Sequence, residues 1–165
     1  MVTRTDTTQI VKKWADPVYF VQHVLREPLF RKQGEILRSI KAEAFVSVVG
    51  ANGTGKDWTA ARAILWWLCM NKEAIVVVLA PSHRQVQDVV WKEVRVGYQS
   101  AMSNGKPLGG KMAKLPRWEI SDRRFAVGFA TDDEFNIQGY HSPKLLLVIT
   151  EAHAVADSHI DAGMR

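Results

Sequence analysis

The sequence predicts an α/β fold with a mainly parallel sheet flanked by helices. Continuous apolar runs typical of buried parallel strands occupy residues 44–49, 74–80 and 144–149. Segments with helical spacing of apolar residues separate these runs, and a glycine-rich turn joins the first run to the helix after it. Strand, helix and strand in this order predict parallel neighbours in one sheet.

Two helices are predicted before the first strand, at residues 17–26 and 28–40, where apolar residues recur at helical spacing. We treat residues 1–43 as a helical lead-in, residues 44–165 as the core, and the whole of 1–165 as one domain. The remaining predicted elements are a helix at 57–71, a helix capped by Ser82 and running to about 102, a glycine- and lysine-rich loop at 103–116, and strands at 118–120 and 124–130 around a turn at Ser121 and Asp122.

Composition places the chain among ordinary globular proteins, with 47% hydrophobic and 24% charged residues. Its formal charge of +5 permits a polyanionic partner, but the charge alone favours the simpler explanation of a solvated surface. No apolar run approaches the roughly 20 residues of a membrane span, and the polar N-terminus lacks a secretory signal, so we expect a cytoplasmic protein without membrane contact. The lone cysteine, Cys69, is expected to be a small core residue.

The glycine-rich turn has the pattern of a phosphate-binding loop, the Walker A element. Glycines let backbone N–H groups face phosphates, the next helix presents its N-terminus, and the lysine reaches the β and γ oxygens. The predicted nucleotide-binding residues of the turn are Gly50, Ala51, Asn52, Gly53, Thr54, Gly55, Lys56 and Asp57.

Two positions depart from the usual magnesium site of such a loop. Asp57 stands where a serine or threonine is expected, and Thr150 stands where an apolar strand, the Walker B element, normally ends in its first carboxylate. Together they resemble an exchange of carboxylate and hydroxyl around one ion, so we predict that Asp57 and Thr150 hold Mg²⁺. The alternative for Asp57 is a carboxylate that only stabilises a helix N-terminus.

Glu151 follows the last apolar strand directly, at the carboxyl end where α/β sheets bind ligands. We predict that Glu151 orients the attacking water and that Lys56, which reaches the β and γ oxygens, is the second catalytic residue; the alternative for Glu151 is an ordinary exposed glutamate. His153, two residues on, is expected to be structural. Five scattered histidines and one cysteine form no metal-ligand pattern.

In these motifs the chain resembles the large terminase subunits of tailed phages and prophages, a family of P-loop NTPases of the additional-strand type. The shared segments are residues 50–56 (GANGTGK), 80–86 (APSHRQV), 91–95 (WKEVR), 129–133 (FATDD), 137–141 (IQGYH) and the strand ending at Glu151 and Ala152.

The resemblance implies an Mg²⁺-dependent ATPase that drives double-stranded DNA into a capsid, in a homo-oligomeric ring on a portal, with a small terminase subunit as partner. It also implies that Gln33, following Phe30, reads adenine; the alternative is a solvated helix residue. Many members carry an arginine where this chain has Gln138, so the arginine finger is sought among Arg84, Arg123 and Arg124. Arg84 has the alternative of a helix-surface residue.

In additional-strand ATPases a later strand inserts beside the strand that precedes the glycine loop. This strand, the coupling motif and the nuclease domain are expected to be missing from these residues, as in a fragment of a longer terminase or a truncated relative. A basic stretch of Lys106, Lys111, Lys114 and Arg117 either contacts DNA phosphates or forms a solvated loop. The alternative functions are a helicase-like ATPase acting on another nucleic acid and a nucleotide-binding or assembly module without turnover.

Overall fold

The computed structural model of the protein describes residues 12–131 and 139–152. The predicted α/β class is confirmed, since these residues form helices around one mixed sheet of five strands, in the order β2-β3-β4-β1-β5. The strands are β1 (Ala74–Ala80), β2 (Lys111–Met112), β3 (Arg117–Ser121), β4 (Arg124–Ala130) and β5 (Lys144–Ile149). The helices are α1 (Pro17–Phe20, continued by a π-helical turn at Val21–Leu25), α2 (Arg31–Ala42), α3 (Lys56–Met70) and α4 (Trp91–Ser103, preceded by a π-helical segment at Gln85–Val90).

The sheet is mixed: β1, β4 and β5 form the predicted parallel part, and an antiparallel part at β3 adjoins it. Strand β1 pairs in parallel with both β4 and β5, whereas β3 pairs antiparallel with β2 and β4. The physical reason is the short turn at Asp122 and Arg123 between β3 and β4, because a connection of two residues can only join antiparallel neighbours.

Strand β1 is the centre of the core, and all seven of its residues are buried. Val76 and Val78 face the helices, where they pack with residues such as Leu65 of α3. Ile75, Val77 and Leu79 face the opposite side, with residues of β4 and β5 and with Tyr140. The continuous apolar sequence of β1 is therefore explained by burial on both faces.

The strand predicted at residues 44–49 is absent, and that prediction is wrong. This segment contains neither helix nor strand, and Phe45 and Val49 are 72% and 97% exposed. A strand forms only beside another strand, which supplies partners for its amide and carbonyl groups. Among the described residues, β5 pairs with β1 alone and residues 44–49 pair with no strand. Apolar sequence without a neighbour leaves the segment exposed.

The predicted helices are confirmed within a few residues at their ends. Ser82 acts as the expected N-cap, because its Oγ accepts a hydrogen bond from the Gln85 amide at 3.3 Å. Cys69 packs against the core from α3, and burial raises the pKa of its thiol to about 12.

Across the described ranges, none of the helices combines the length and apolar character that crossing a membrane requires.

Candidate functional site

The parallel strands end together at one edge of the sheet. The Thr150 amide donates to Leu79 O at 2.9 Å, and the Thr131 amide donates to Ala80 O at 3.0 Å. The residues that follow β5 and β4 therefore lie beside the end of β1, at the edge where α/β sheets bind ligands.

The glycine loop, residues 50–55, curls over the side chain of Lys56. Gly53 and Gly55 have φ angles of 76° and 79°, in the left-handed region that favours glycine. Lys56 Nζ donates to Gly50 O at 2.8 Å and to Ala51 O at 2.9 Å. The ammonium group thus lies inside the turn at the N-terminus of α3, the place that a phosphate would occupy in a loop of this kind.

Two further polar residues complete the loop. Thr54 Oγ1 also donates to Ala51 O, at 2.8 Å, which tightens the turn. Asn52 is exposed at the tip, where its backbone and side chain are open to solvent.

Gln33 lies against this loop, although 22 residues separate it from Gly55 in the sequence. It is only 8% exposed, and its Oε1 accepts a hydrogen bond from the Phe30 amide at 2.8 Å. A Cβ atom added at Gly55 would lie 2.7 Å from Gln33 Nε2, so only glycine leaves room for this approach. Phe30, 78% exposed, stands at the start of the same turn. Gln33 is therefore a buried residue and not the solvated helix residue of the alternative interpretation.

Asp57 and Glu151 are close enough for their charges to interact. Burial raises the pKa of Asp57, and the neighbouring Glu151 carboxylate raises it further. The charge of Lys56 and a backbone hydrogen bond act in the opposite direction, but the net shift is upward. Asp57, in the first turn of α3, is therefore partly removed from water and lies near the second carboxylate of Glu151.

Thr150 is half-buried at the end of β5, where its Oγ1 donates to Leu79 O at 3.4 Å. Its hydroxyl lone pairs remain able to bind a cation. Glu151 follows in a left-handed conformation with φ of 53°, which is uncommon for a residue other than glycine. The described residues contain no group of three or more His, Cys, Asp or Glu side chains arranged to hold a metal. A cation here would be held by the Asp57 carboxylate, the Thr150 hydroxyl and water or phosphate oxygens.

The three arginine-finger candidates lie in different places. Arg84 is exposed just after β1, at the same edge of the sheet as Thr150. Arg123 and Arg124 lie at the opposite edge, where Arg123 pairs with Glu73 at 3.3 Å. Arg124 donates to the carbonyls of Leu68 and Cys69 at 2.6 and 2.8 Å and so caps the C-terminus of α3.

The basic stretch is held by specific contacts. Tyr98 donates to Gly109 O and Gly110 O, both at 3.3 Å, and Trp118 Nε1 donates to Gly109 O at 3.0 Å. Lys111 and Lys114 are exposed, whereas Arg117 pairs with Glu119 at 2.8 Å and Lys106 lies 5.8 Å from the ring of Trp14. Two of the four cations are therefore exposed and carry no described ion pair.

Comparison of the chain with protein-family models, curated proteins and solved structures finds no match. Several predictions from the sequence, those at residues 132–138 and at His153, lie outside the described residues.

Sequence reasoning missed one buried charged group in the helix that follows the glycine loop. Arg62, in α3, is 1% exposed and pairs with Glu27 and Glu93. The sequence contains a sign of this buried charge: Arg62 is the only charged residue between Asp57 and Met70, in a helix that is otherwise largely apolar.

Proposed function

We propose that the chain is a P-loop ATPase domain of the additional-strand type, and that it works as the ATP-hydrolysing motor domain of a large terminase that packages double-stranded DNA. One observation carries the nucleotide part of the proposal: Gln33 lies against Gly55, whose loop also encloses the Lys56 ammonium. A base-reading amide and a phosphate-binding turn thus meet at one place. The motor part rests on the resemblance of the shared segments.

In this proposal the protein's own groups have separate roles. Lys56 leaves the loop carbonyls to bind the β and γ phosphates, and Gln33 contacts the adenine beside Phe30. Asp57 and Thr150 would hold Mg²⁺, and the ion would supply positive charge to neutralise charge developing on the phosphates. The donor set fits that ion, because a hydroxyl and a carboxylate are hard oxygen ligands and the carboxylate of Glu151 adds a second negative charge near Asp57. Glu151 orients the attacking water.

The decisive measurement is phosphate release from ATP with and without duplex DNA at matched salt. We expect Mg²⁺-dependent turnover that duplex DNA stimulates, and a Lys56→Ala variant with about 10- to 100-fold weaker ATP binding, because hydrogen bonds to a charged group are lost. Absence of ATP binding by the unaltered protein would refute the proposal. Stimulation by single strands alone would favour the helicase-like alternative.

The exchange of ligands at the metal has its own test. Asp57→Thr and Thr150→Asp should each weaken Mg²⁺-dependent nucleotide binding, and the double variant should recover part of it, since it restores one carboxylate and one hydroxyl. A double variant worse than either single variant would contradict the shared site.

DNA contact is expected at the open part of the basic stretch. Replacing Lys111 and Lys114 by alanine should weaken duplex binding. It should also make the slope of log affinity against log salt concentration shallower by about 0.9 for each phosphate contact that is lost. Arg117, which is paired with Glu119, provides the matched control. Equal effects of all three substitutions would argue against a specific contact surface.

A second candidate, a nucleotide-binding or assembly module without turnover, is favoured by residues 44–49. In the proposed fold this segment would be a sheet strand that fixes the glycine loop, yet it is exposed and unpaired. ATP binding without phosphate release, with or without DNA, would support this candidate.

A further inference from the structure

Arg62 carries a charge into the interior of the protein beside the proposed nucleotide site. Its side chain is 1% exposed, in the second turn of the helix that begins at Lys56. A buried guanidinium is retained only when hydrogen bonds and opposite charges compensate its lost hydration. The identity of its partners therefore shows what the charge does.

The guanidinium of Arg62 joins three separate parts of the chain. Its Nε and Nη2 donate to the two carboxylate oxygens of Glu27 at 2.6 and 2.7 Å, in the bidentate geometry specific to arginine. Its Nη1 donates to Glu93 of α4, at 2.9 Å to Oε2 and 3.0 Å to the main-chain carbonyl. The face of the guanidinium lies 4.5 Å from the ring centre of Trp58.

Glu27 stands in the connector, residues 26–30, that leads from α1 to the turn of Gln33. Arg26 in this connector is left-handed, with φ of 56°, and the Phe30 amide at its end is bound by Gln33 Oε1. Just before it, Leu25 O accepts hydrogen bonds from Ser100 of α4 and from Asn104, the C-cap of that helix. Among the described hydrogen bonds and ion pairs, the Glu27 carboxylate links the connector to α3, the helix that carries Lys56.

We propose that Arg62 is a positioning residue, which sets the place of Gln33 relative to the glycine loop through Glu27 and thereby controls recognition of the adenine base. The inference rests on the proposed function. Arg62 itself is buried, and its proposed effect on the base acts through Glu27 and Gln33. Loss of the Glu27 contact leaves the loop and Lys56 intact but lets the connector and the Gln33 amide shift.

The test is the preference for ATP over GTP in a direct binding assay, with fluorescent analogues of both nucleotides. Glu27→Gln keeps the shape of the side chain and removes its charge. We expect this variant to lose affinity for ATP by about 3- to 30-fold, the range found for residues coupled to a site, with little change for GTP. Arg62→Lys keeps the charge but not the bidentate fork, and should show the same selective loss.

Two controls separate positioning from simple destabilisation. Arg31→Lys alters a cation in the same helix as Gln33 that is 86% exposed and pairs only locally with Glu35, so it should leave both affinities unchanged. Thermal unfolding of each variant identifies any that fail to fold, and Glu27→Gln is the milder change if Arg62→Lys does.

The outcomes distinguish the two proposals. An unaltered protein that binds neither nucleotide overturns the proposed function and this inference with it. An unaltered protein that prefers ATP, together with folded Glu27→Gln and Arg62→Lys variants that keep the full preference, overturns the inference alone. Equal loss of ATP and GTP affinity also overturns it, since a general distortion of the loop would act on the shared phosphates.

Discussion

The segments on either side of the glycine loop are both apolar, but the structure treats them in opposite ways. After the loop, α3 is almost entirely integrated in the core, with Ile64, Leu65 and Leu68 fully buried. Before the loop, residues 44–49 form no regular structure, and Phe45 and Val49 are largely exposed. The loop is thus anchored firmly at its C-terminal side only.

The difference comes from where each kind of element finds its hydrogen bonds. A helix pairs its amides with carbonyls four residues earlier, so α3 needs a core only to cover its side chains. A strand depends on at least one neighbouring strand for its backbone hydrogen bonds. Because the glycine loop is anchored on one side, its position depends on its contacts with α3 and Gln33. Three predictions examine this comparison.

The largest effect is expected inside α3. Leu65→Ala removes a fully buried side chain and should lower the free energy of unfolding by about 2–5 kcal/mol, through lost burial and the cavity left behind. Chemical denaturation measures it. Leu115→Ala, at a leucine that is 72% exposed, is the matched control and should change stability by less than about 0.5 kcal/mol. Similar values for both would contradict the anchoring of the loop through α3.

A smaller effect is expected at Asp57, where the loop meets the helix. Burial and the charge of Glu151 raise the pKa of Asp57 in the folded protein. Between the unfolded and folded pKa values the native state binds more protons, so stability falls as pH rises through this window and stays lowered above it. Asp57→Asn removes the charge and should raise the melting temperature at neutral pH, where about 1 kcal/mol corresponds to about 2–4 °C.

The pH dependence identifies the cause of that change. The advantage of Asp57→Asn should disappear at pH values below the unfolded pKa, where the native aspartate is also neutral. Asp88→Asn, at an exposed carboxylate before α4, serves as the control. An Asn variant that is less stable at neutral pH would mean that the charge mainly stabilises the helix N-terminus, the alternative kept from the sequence.

The smallest effect is expected before the loop. Phe45→Ser changes an exposed side chain without a sheet neighbour and should alter stability by less than about 0.5 kcal/mol. Amide exchange should be fast at residues 45–49 and slow in the middle of α3. Strong protection of residues 45–49 would show that a strand partner forms in solution, and would remove the difference between the two sides of the loop.

By itself the sequence determined the helices, the central strands and the composition of the glycine loop. These features depend on local spacing: apolar residues at helical intervals in α3, a continuous apolar run in β1, and glycines at positions with positive φ. The same local signals failed at residues 44–49. An apolar run indicates that a segment is suited to a buried strand, but it does not specify which strand will pair with it.

Only the tertiary structure decided which distant residues meet. It brought Gln33 onto Gly55, placed Glu151 within electrostatic reach of Asp57, and enclosed Arg62 between Glu27 and Glu93. These contacts join residues up to 94 positions apart, and no periodicity in the sequence encodes such a separation. They follow from how α2, α3, α4 and the end of β5 pack around one core. The local patterns of the sequence do not specify that packing.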